Sequence, residues 1–281
     1  MPRPHVEFVQ AQALPWQPVP PGHARPGAEQ RLLSRDPESG ACSCLLRFPA
    51  GWRVTAGQVL ACDEEFYVLD GSVLIGDQPY GAGDYACLPA GYERGAMSSP
   101  AGAVALTFFE GRPVPAQTGI QPDPEAALVE HLSTGRMAWG GATEPVVAGP
   151  RVGRKQLRPD SALGERTWIL SMTGSEAEPV EVNGVERHPC VEEMYLLAGD
   201  FQMPSGLMRP GAYFWRPPMI PHGPMGTKTG FVALFRAREG GFHTHWSDRG
   251  AAVPWGAAYD PVLPAGLELH PVSEDQLRRA W

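Results

Sequence analysis

The sequence predicts an all-β protein: two small β-barrels in tandem, joined through one short linker helix. Three observations predict it. Short β-branched and aromatic runs alternate with turn residues along the whole chain, which holds 33 Gly and 31 Pro, the punctuation of many tight turns. A length of 281 residues suits about two domains. The chain also repeats itself. Glu64-Glu65-Phe66-Tyr67-Val68-Leu69-Asp70-Gly71 aligns with Glu192-Glu193-Met194-Tyr195-Leu196-Leu197-Ala198-Gly199 at a constant spacing of 128 (192 − 64). At that spacing Gly83 meets Gly211 and Pro89 meets Pro217.

The elements follow in order. Met1 to Gln30, with its prolines and Trp16, reads as an extended arm that packs on the other barrel or on a second subunit. Arg31 to Arg47 forms the leading strands of the first copy, turning at Asp36 and Gly40. Their counterparts Asp160 and Gly164 lie 124 residues on (160 − 36). That shorter spacing places about four extra residues in the second copy's loop near Ser175 to Asn183, where insertions are tolerated. Asp123 as N-cap, Pro124 at the first helical position and Gly135 past the end predict the linker helix over Pro124–His131. The helix separates a first domain, residues 1–135, from a second, residues 136–281. Arg136 to Arg154, with Trp139, is a second arm. Ala212 to Arg216 and Phe231 to Arg236 are later strands of the second barrel, and Ser273 caps a short helix over Glu274–Ala280.

The second copy carries the chemistry. Residues two apart on a strand share a face, so Glu186 and His188 project together. Glu192 opens the strand that ends at Gly199, and the strand Ala212 to Arg216 runs into a Pro-rich turn that delivers His222. Imidazole nitrogens and carboxylate oxygens converging on one point suit a divalent transition metal. Met194 and Leu196 share the face of Glu192. With Trp168, Phe214, Trp215 and Met219 nearby, they predict an apolar cavity suited to a small aromatic or otherwise hydrophobic molecule. Glu193 points to the opposite face, outside the barrel. Arg166, Arg216 or Arg236, if inward, would favour a carboxylate-bearing substrate.

These motifs resemble the cupin superfamily. Its signatures are a glycine, five residues, His-x-His, three or four residues, Glu, six residues, Gly; then a glycine, five residues, Pro-x-Gly, two residues, His. His188, Glu192, Gly199, Gly211, Pro217 and His222 fall on pattern positions. Glu186 stands where the first histidine would be, and Met219 where the glycine before the last histidine would be. The stretches His188-Pro-Cys-Val-Glu192-Glu193 and Arg31 to Arg47 look most like the cupins related to the zinc-binding anti-sigma factor ChrR. The resemblance implies two jelly-roll barrels, a bicupin, with one divalent metal per chain held by His188, Glu192 and His222. Glu186 would be a fourth ligand or a general base at the metal's edge. Fe(II) is favoured, with Mn(II), Ni(II) or Zn(II) as alternatives, and the implied activity is that of a dioxygenase-like oxidoreductase. The same scaffold supports isomerases, lyases, decarboxylases and non-catalytic metal sensors. A homo-oligomer, specifically a dimer, and a small-molecule substrate are expected.

The first copy lacks this ligand set. Gln58, Leu60 and Arg94 stand at the positions of Glu186, His188 and His222, and only Glu64 remains. Leu60 donates nothing and Arg94 brings positive charge, so this half is expected to be structural, with Arg94 and Glu64 paired or holding a small anion. A net charge of −8 and a pI near 5.5 argue against nucleic-acid and anionic-membrane partners. No apolar run reaches transmembrane length, and the first residues lack a signal-peptide core. Five cysteines suggest no disulfide framework. Cys42, Cys44, Cys62 and Cys87 read as small buried residues, and Cys190 would be oxidation-sensitive if exposed. A cytoplasmic location is expected. His243 and His245, beyond the last barrel strand with no carboxylate at the cupin distance, read as surface or hydrogen-bonded groups.

Overall fold

The computed structural model describes residues 3–116, 119–140, 151–159 and 161–281. Asp160 and residues 141–150 of the second arm lie outside them. The chain is nearly all β and divides into two compact units, residues 1–3 with 14–137, and residues 4–13 with 138–281.

The main sheet of the first unit runs Val129–Ser133, Asp84–Leu88, Glu64–Ile75, Ala103–Phe109, Cys42–Phe48, Glu29–Arg35 in spatial order. That of the second unit runs Val6–Gln10, Ala212–Arg216, Val191–Gly199, Phe231–Arg238, Arg166–Met172, Val152–Arg158. The register repeats as the sequence does. Glu64 lies opposite Leu88 and Phe109, and Glu192 opposite Arg216 and Ala237, each pair of partners 128 apart. The next residue also repeats: the Tyr85 hydroxyl donates to Glu65 at 2.5 Å, and the Tyr213 hydroxyl to Glu193 at 2.5 Å. At Gly71 and Gly199, both at positive φ, an added Cβ would collide with the backbone of Gly102 and of Gly230, which is why glycine stands at that place in both copies.

Each unit has its own apolar core. Phe48, Trp52, Phe66, Val68 and Leu88 belong to the first; Trp168, Met194, Leu196, Phe214 and Phe231 to the second. The central strands are buried along most of their length, Ala103–Phe109 and Ala212–Arg216 throughout, and residues two apart on them give one face to each core.

Two expectations change. The predicted linker helix is absent: Asp123 starts a single turn, accepting the Glu125 N–H at 2.9 Å, and the chain then extends as the strand Val129–Ser133 against Asp84–Leu88. An eight-residue helix is marginal alone, whereas an open sheet edge satisfies the backbone of Val129 and its neighbours at once. The C-terminal helix shrinks to a 3-10 turn at Gln276–Arg278, although Ser273 and Gln276 do bond reciprocally at 2.9 and 3.4 Å. The N-terminal segment, expected as an arm that packs on the other barrel or on a second subunit, places residues 4–13 in the second unit. Val6–Gln10 is an edge strand of the second unit's sheet, pairing with Ala212–Arg216.

Candidate metal centre

Local backbone pairing assembles the centre. Glu186 and His222 bond each other's main chains at 2.9 and 2.8 Å, and the Met219 N–H donates to the His188 carbonyl at 2.7 Å. Met219 holds this place at a φ of 67°. It takes the left-handed conformation that the pattern's glycine would adopt freely, with its side chain exposed.

Glu186, His188 and His222 each offer one ligand atom, all within 4.8 Å of one another, the one such group among the described residues. All three are buried. Both imidazoles have fixed tautomers. His188 Nδ1 lies 3.0 Å from the His243 carbonyl and His222 Nδ1 3.0 Å from the Ile220 carbonyl. A carbonyl only accepts, so each Nδ1 carries a proton, and in the neutral ring it is Nε2 that holds the lone pair. Both Nε2 atoms are buried without a hydrogen-bond partner.

Glu192 stands beside them, its Oε2 3.5 Å from His222 Nε2, with Glu186 Oε1 3.7 Å from the same nitrogen. The same Glu192 oxygen accepts a 2.7 Å bond from Arg216 Nη1. Arg216 in turn gives Nε and Nη2 to Glu7 at 2.5 and 2.6 Å. Burial, with Arg216 beside it, holds His222 down to about 4, so the ring is neutral near pH 7. Burial and the Glu192 charge push Glu186 up to about 7. Burial would raise Glu192 too, but the Arg216 guanidinium, by its charge and its hydrogen bond, holds it below the usual carboxylate range. With His222 neutral, the contacts at 3.5 and 3.7 Å are not ion pairs. They match the spacing that ligands around one ion would have, since donors about 2.0–2.2 Å from a metal sit about 3–4 Å apart. Two imidazoles with outward-anchored rings, plus buried carboxylates, fit a divalent transition metal.

A narrow cavity of about 60 Å³ opens on the group; one water takes about 10–15 Å³ on this scale. Its walls are mostly apolar and include Trp168, Phe214, Phe235 and Phe242. Phe242 stacks on His188, ring centres 4.0 Å apart, and lies edge-on to Trp168 at 5.2 Å.

The predicted residues sort as follows. Trp168 and Phe214 line the cavity, whereas Trp215 is buried but outside the lining, and Met219 is exposed. Met194 and Leu196 belong to the core. Glu193 faces away from the cavity yet is buried, bonded to Arg236 at 2.6 Å. Of the three arginines, Arg216 faces inward, but two carboxylates engage it. Arg166 lies over the Trp168 and Phe242 rings at 5.0 and 5.2 Å. Cys190 is buried, its thiol pushed up to about 12 by burial and the Glu192 charge, so it is shielded from oxidants. His243 serves the site through its carbonyl rather than its ring. Sequence reasoning missed Glu7, Phe242 and Thr244, the last also at the cavity wall. Glu7 had one faint signal, a lone charge within the apolar run Val6-Glu7-Phe8-Val9.

In the first unit the equivalent place is filled by the chain itself. Arg25 Nη2 reaches both Glu64 oxygens at 2.5 and 2.6 Å, Arg94 Nε reaches Glu64 at 2.8 Å, and Leu60 is fully buried beside them. Arg94 and Glu64 therefore pair, and Arg25 was the unforeseen third member.

Solved structures of similar fold carry related descriptions. A candidate dioxygenase from Nostoc punctiforme superposes with a TM-score of 0.73 at 19% identity, over 85% of this chain and 84% of that one. An oxalate decarboxylase of Bacillus subtilis gives 0.54 at 11%, over 86% and 79%. The E. coli protein YlbA, of family DUF861, gives 0.56 at 13%, over 82% and 89%. At these identities the likeness is one of fold, and these neighbours are cupin-fold proteins. No curated protein matches the chain. The sequence model of DUF4437, a domain of unknown function, matches residues 7–244, and the chain belongs to that family.

Proposed function

We propose that this chain is a metal-dependent bicupin enzyme, a dioxygenase-like oxidoreductase acting on a small aromatic or otherwise hydrophobic molecule at one mononuclear site in the second barrel. The observation that carries the reading is the pair of buried, partnerless Nε2 atoms of His188 and His222 facing the Glu186 carboxylate. Glu186, His188 and His222 would hold the ion, with Glu192 adjoining; Fe(II) is favoured, Mn(II), Ni(II) and Zn(II) being alternatives. A bound ion of this kind supplies a Lewis-acidic and, for iron or manganese, redox-active centre. Trp168, Phe214 and Phe242 exclude water and select a compact apolar ligand, and Thr244 offers a hydroxyl to orient it. The second oxygen of Glu186 is a base within reach of the cavity. The Nostoc neighbour supports the oxidoreductase reading, and the Bacillus neighbour, described with Mn(II) centres, supports a divalent metal.

The test is elemental analysis of protein purified without chelators, followed by oxygen uptake by the Fe(II)-loaded protein with small aromatic compounds. One metal per chain and substrate-dependent uptake are expected. Metal-free protein that takes up none of the four ions would overturn the reading; metal binding without uptake would move it toward a decarboxylase, isomerase or sensor.

A further inference from the structure

The strand Val6–Gln10 carries a further carboxylate to the second barrel's centre. Glu7 lies opposite Phe214 in the sheet, and both its oxygens are taken by Arg216 Nε and Nη2, at 2.5 and 2.6 Å. Nη1 of the same guanidinium reaches Glu192 Oε2 at 2.7 Å. Arg216 also lies over the Phe214 ring, 3.6 Å from its centroid. His5 adds a contact to Glu7 at 3.4 Å. All three charged groups are buried, so their charges must balance locally.

The balance decides what Glu192 can do. Paired with Arg216 alone, Glu192 would be one half of a neutral ion pair and would bring little charge to a cation. With Glu7 engaging Arg216 bidentately, the guanidinium is already matched, and the Glu192 charge remains for a partner near His222. Glu7 also fixes where Arg216 sits, and through it where the Glu192 oxygen sits. We propose that Glu7 is a positioning residue of the metal centre: acting through Arg216, it holds Glu192 beside His222 and keeps that carboxylate's charge available to the ion. This rests on reading the second barrel as a metal site.

The experiment titrates Co(II) and Mn(II) into the full-length protein and its E7Q, E7D and E7Q/R216Q variants. Affinity and the Co(II) absorption spectrum are followed, with circular dichroism to confirm folding. E7Q should lose roughly tenfold to a hundredfold in affinity, the range seen when an outer-shell partner is removed, and its Co(II) spectrum should shift. E7D should recover much of the loss. E7Q/R216Q, which removes both charges and frees Glu192, should bind more tightly than E7Q; a purely structural ion pair would make the double variant no better. E7Q binding Co(II) like the parent protein, with the same spectrum, overturns the inference and leaves the metal reading intact. If E7Q does not fold, E7D and E7Q/R216Q decide, and a double variant that folds but binds more weakly than E7D by a hundredfold or more overturns it. Parent protein that binds neither ion overturns the metal reading itself.

Discussion

His188 and His222 present their Nε2 atoms to the same small volume because each Nδ1 is bonded to a main-chain carbonyl, of His243 and of Ile220. Neither ring can rotate without losing a bond inside the protein, so the two lone pairs are preorganised.

His222→Ala should therefore abolish tight metal binding, more than the roughly 10–100-fold lost with an outer-shell partner. The fold should survive, since the core around Met194, Leu196 and Phe231 does not involve the imidazole and is an apolar core of a kind that a zinc finger lacks. Metal titration and circular dichroism check both halves; unfolding of the metal-free protein at room temperature would contradict the second.

Glu186→His restores the histidine of the cupin pattern and should retain metal while reducing turnover, because it replaces a carboxylate with a neutral ligand. Glu186→Ala removes a member of the three-residue group and should weaken binding by about tenfold or more. Metal affinity measured beside oxygen uptake separates the two effects.

Acid should unfold the second unit partly through Glu7. Burial alone would raise its carboxyl, but the Arg216 charge and bonds outweigh this and hold it at about 2, from an ordinary 4.5. A carboxyl with a lowered folded-state pKa binds fewer protons folded than unfolded. Its stabilisation is thus complete above pH 4.5 and is lost as pH falls toward 2. The shift corresponds to on the order of 3 kcal/mol. Denaturant titrations at pH 7, 4 and 2.5 should show the fall, and Glu7→Gln should flatten it.

Met219→Gly should stabilise the protein by about 0.5–1 kcal/mol. It relieves the left-handed strain, partly offset by the greater freedom of glycine in the unfolded chain. The side chain is exposed, so little packing is lost. A thermal melt that falls instead would mean the Met219 side chain packs in solution.

Glu64→Gln should cost the first unit about 3–5 kcal/mol, because it leaves Arg25 and Arg94 buried without their counter-charge. Metal content should be unchanged, since that unit holds no comparable ligand group among the described residues.

Much of this was legible in the chain. Strand alternation, the 128-residue repeat and the His188–Glu192–His222 spacing are local or periodic signals, and a β-strand's period of two converts them directly into shared faces. The all-β class follows from those signals, and the repeat reappears strand by strand in the register. Even the departure at Met219 was readable as a place where glycine was wanted. What tertiary structure alone decided concerns partners far apart in sequence. Val129–Ser133 became a strand because an open edge lay beside it, overriding a sound N-cap. Arg25 entered the first barrel's centre, Phe242 came to stack on His188, and Glu7 reached Arg216 across 209 positions. No local propensity encodes such pairings. The strand and the ring contact form because backbone groups and apolar surface leave water together, and the two ion pairs because a charge withdrawn from water must find its counter-charge wherever the fold brings one.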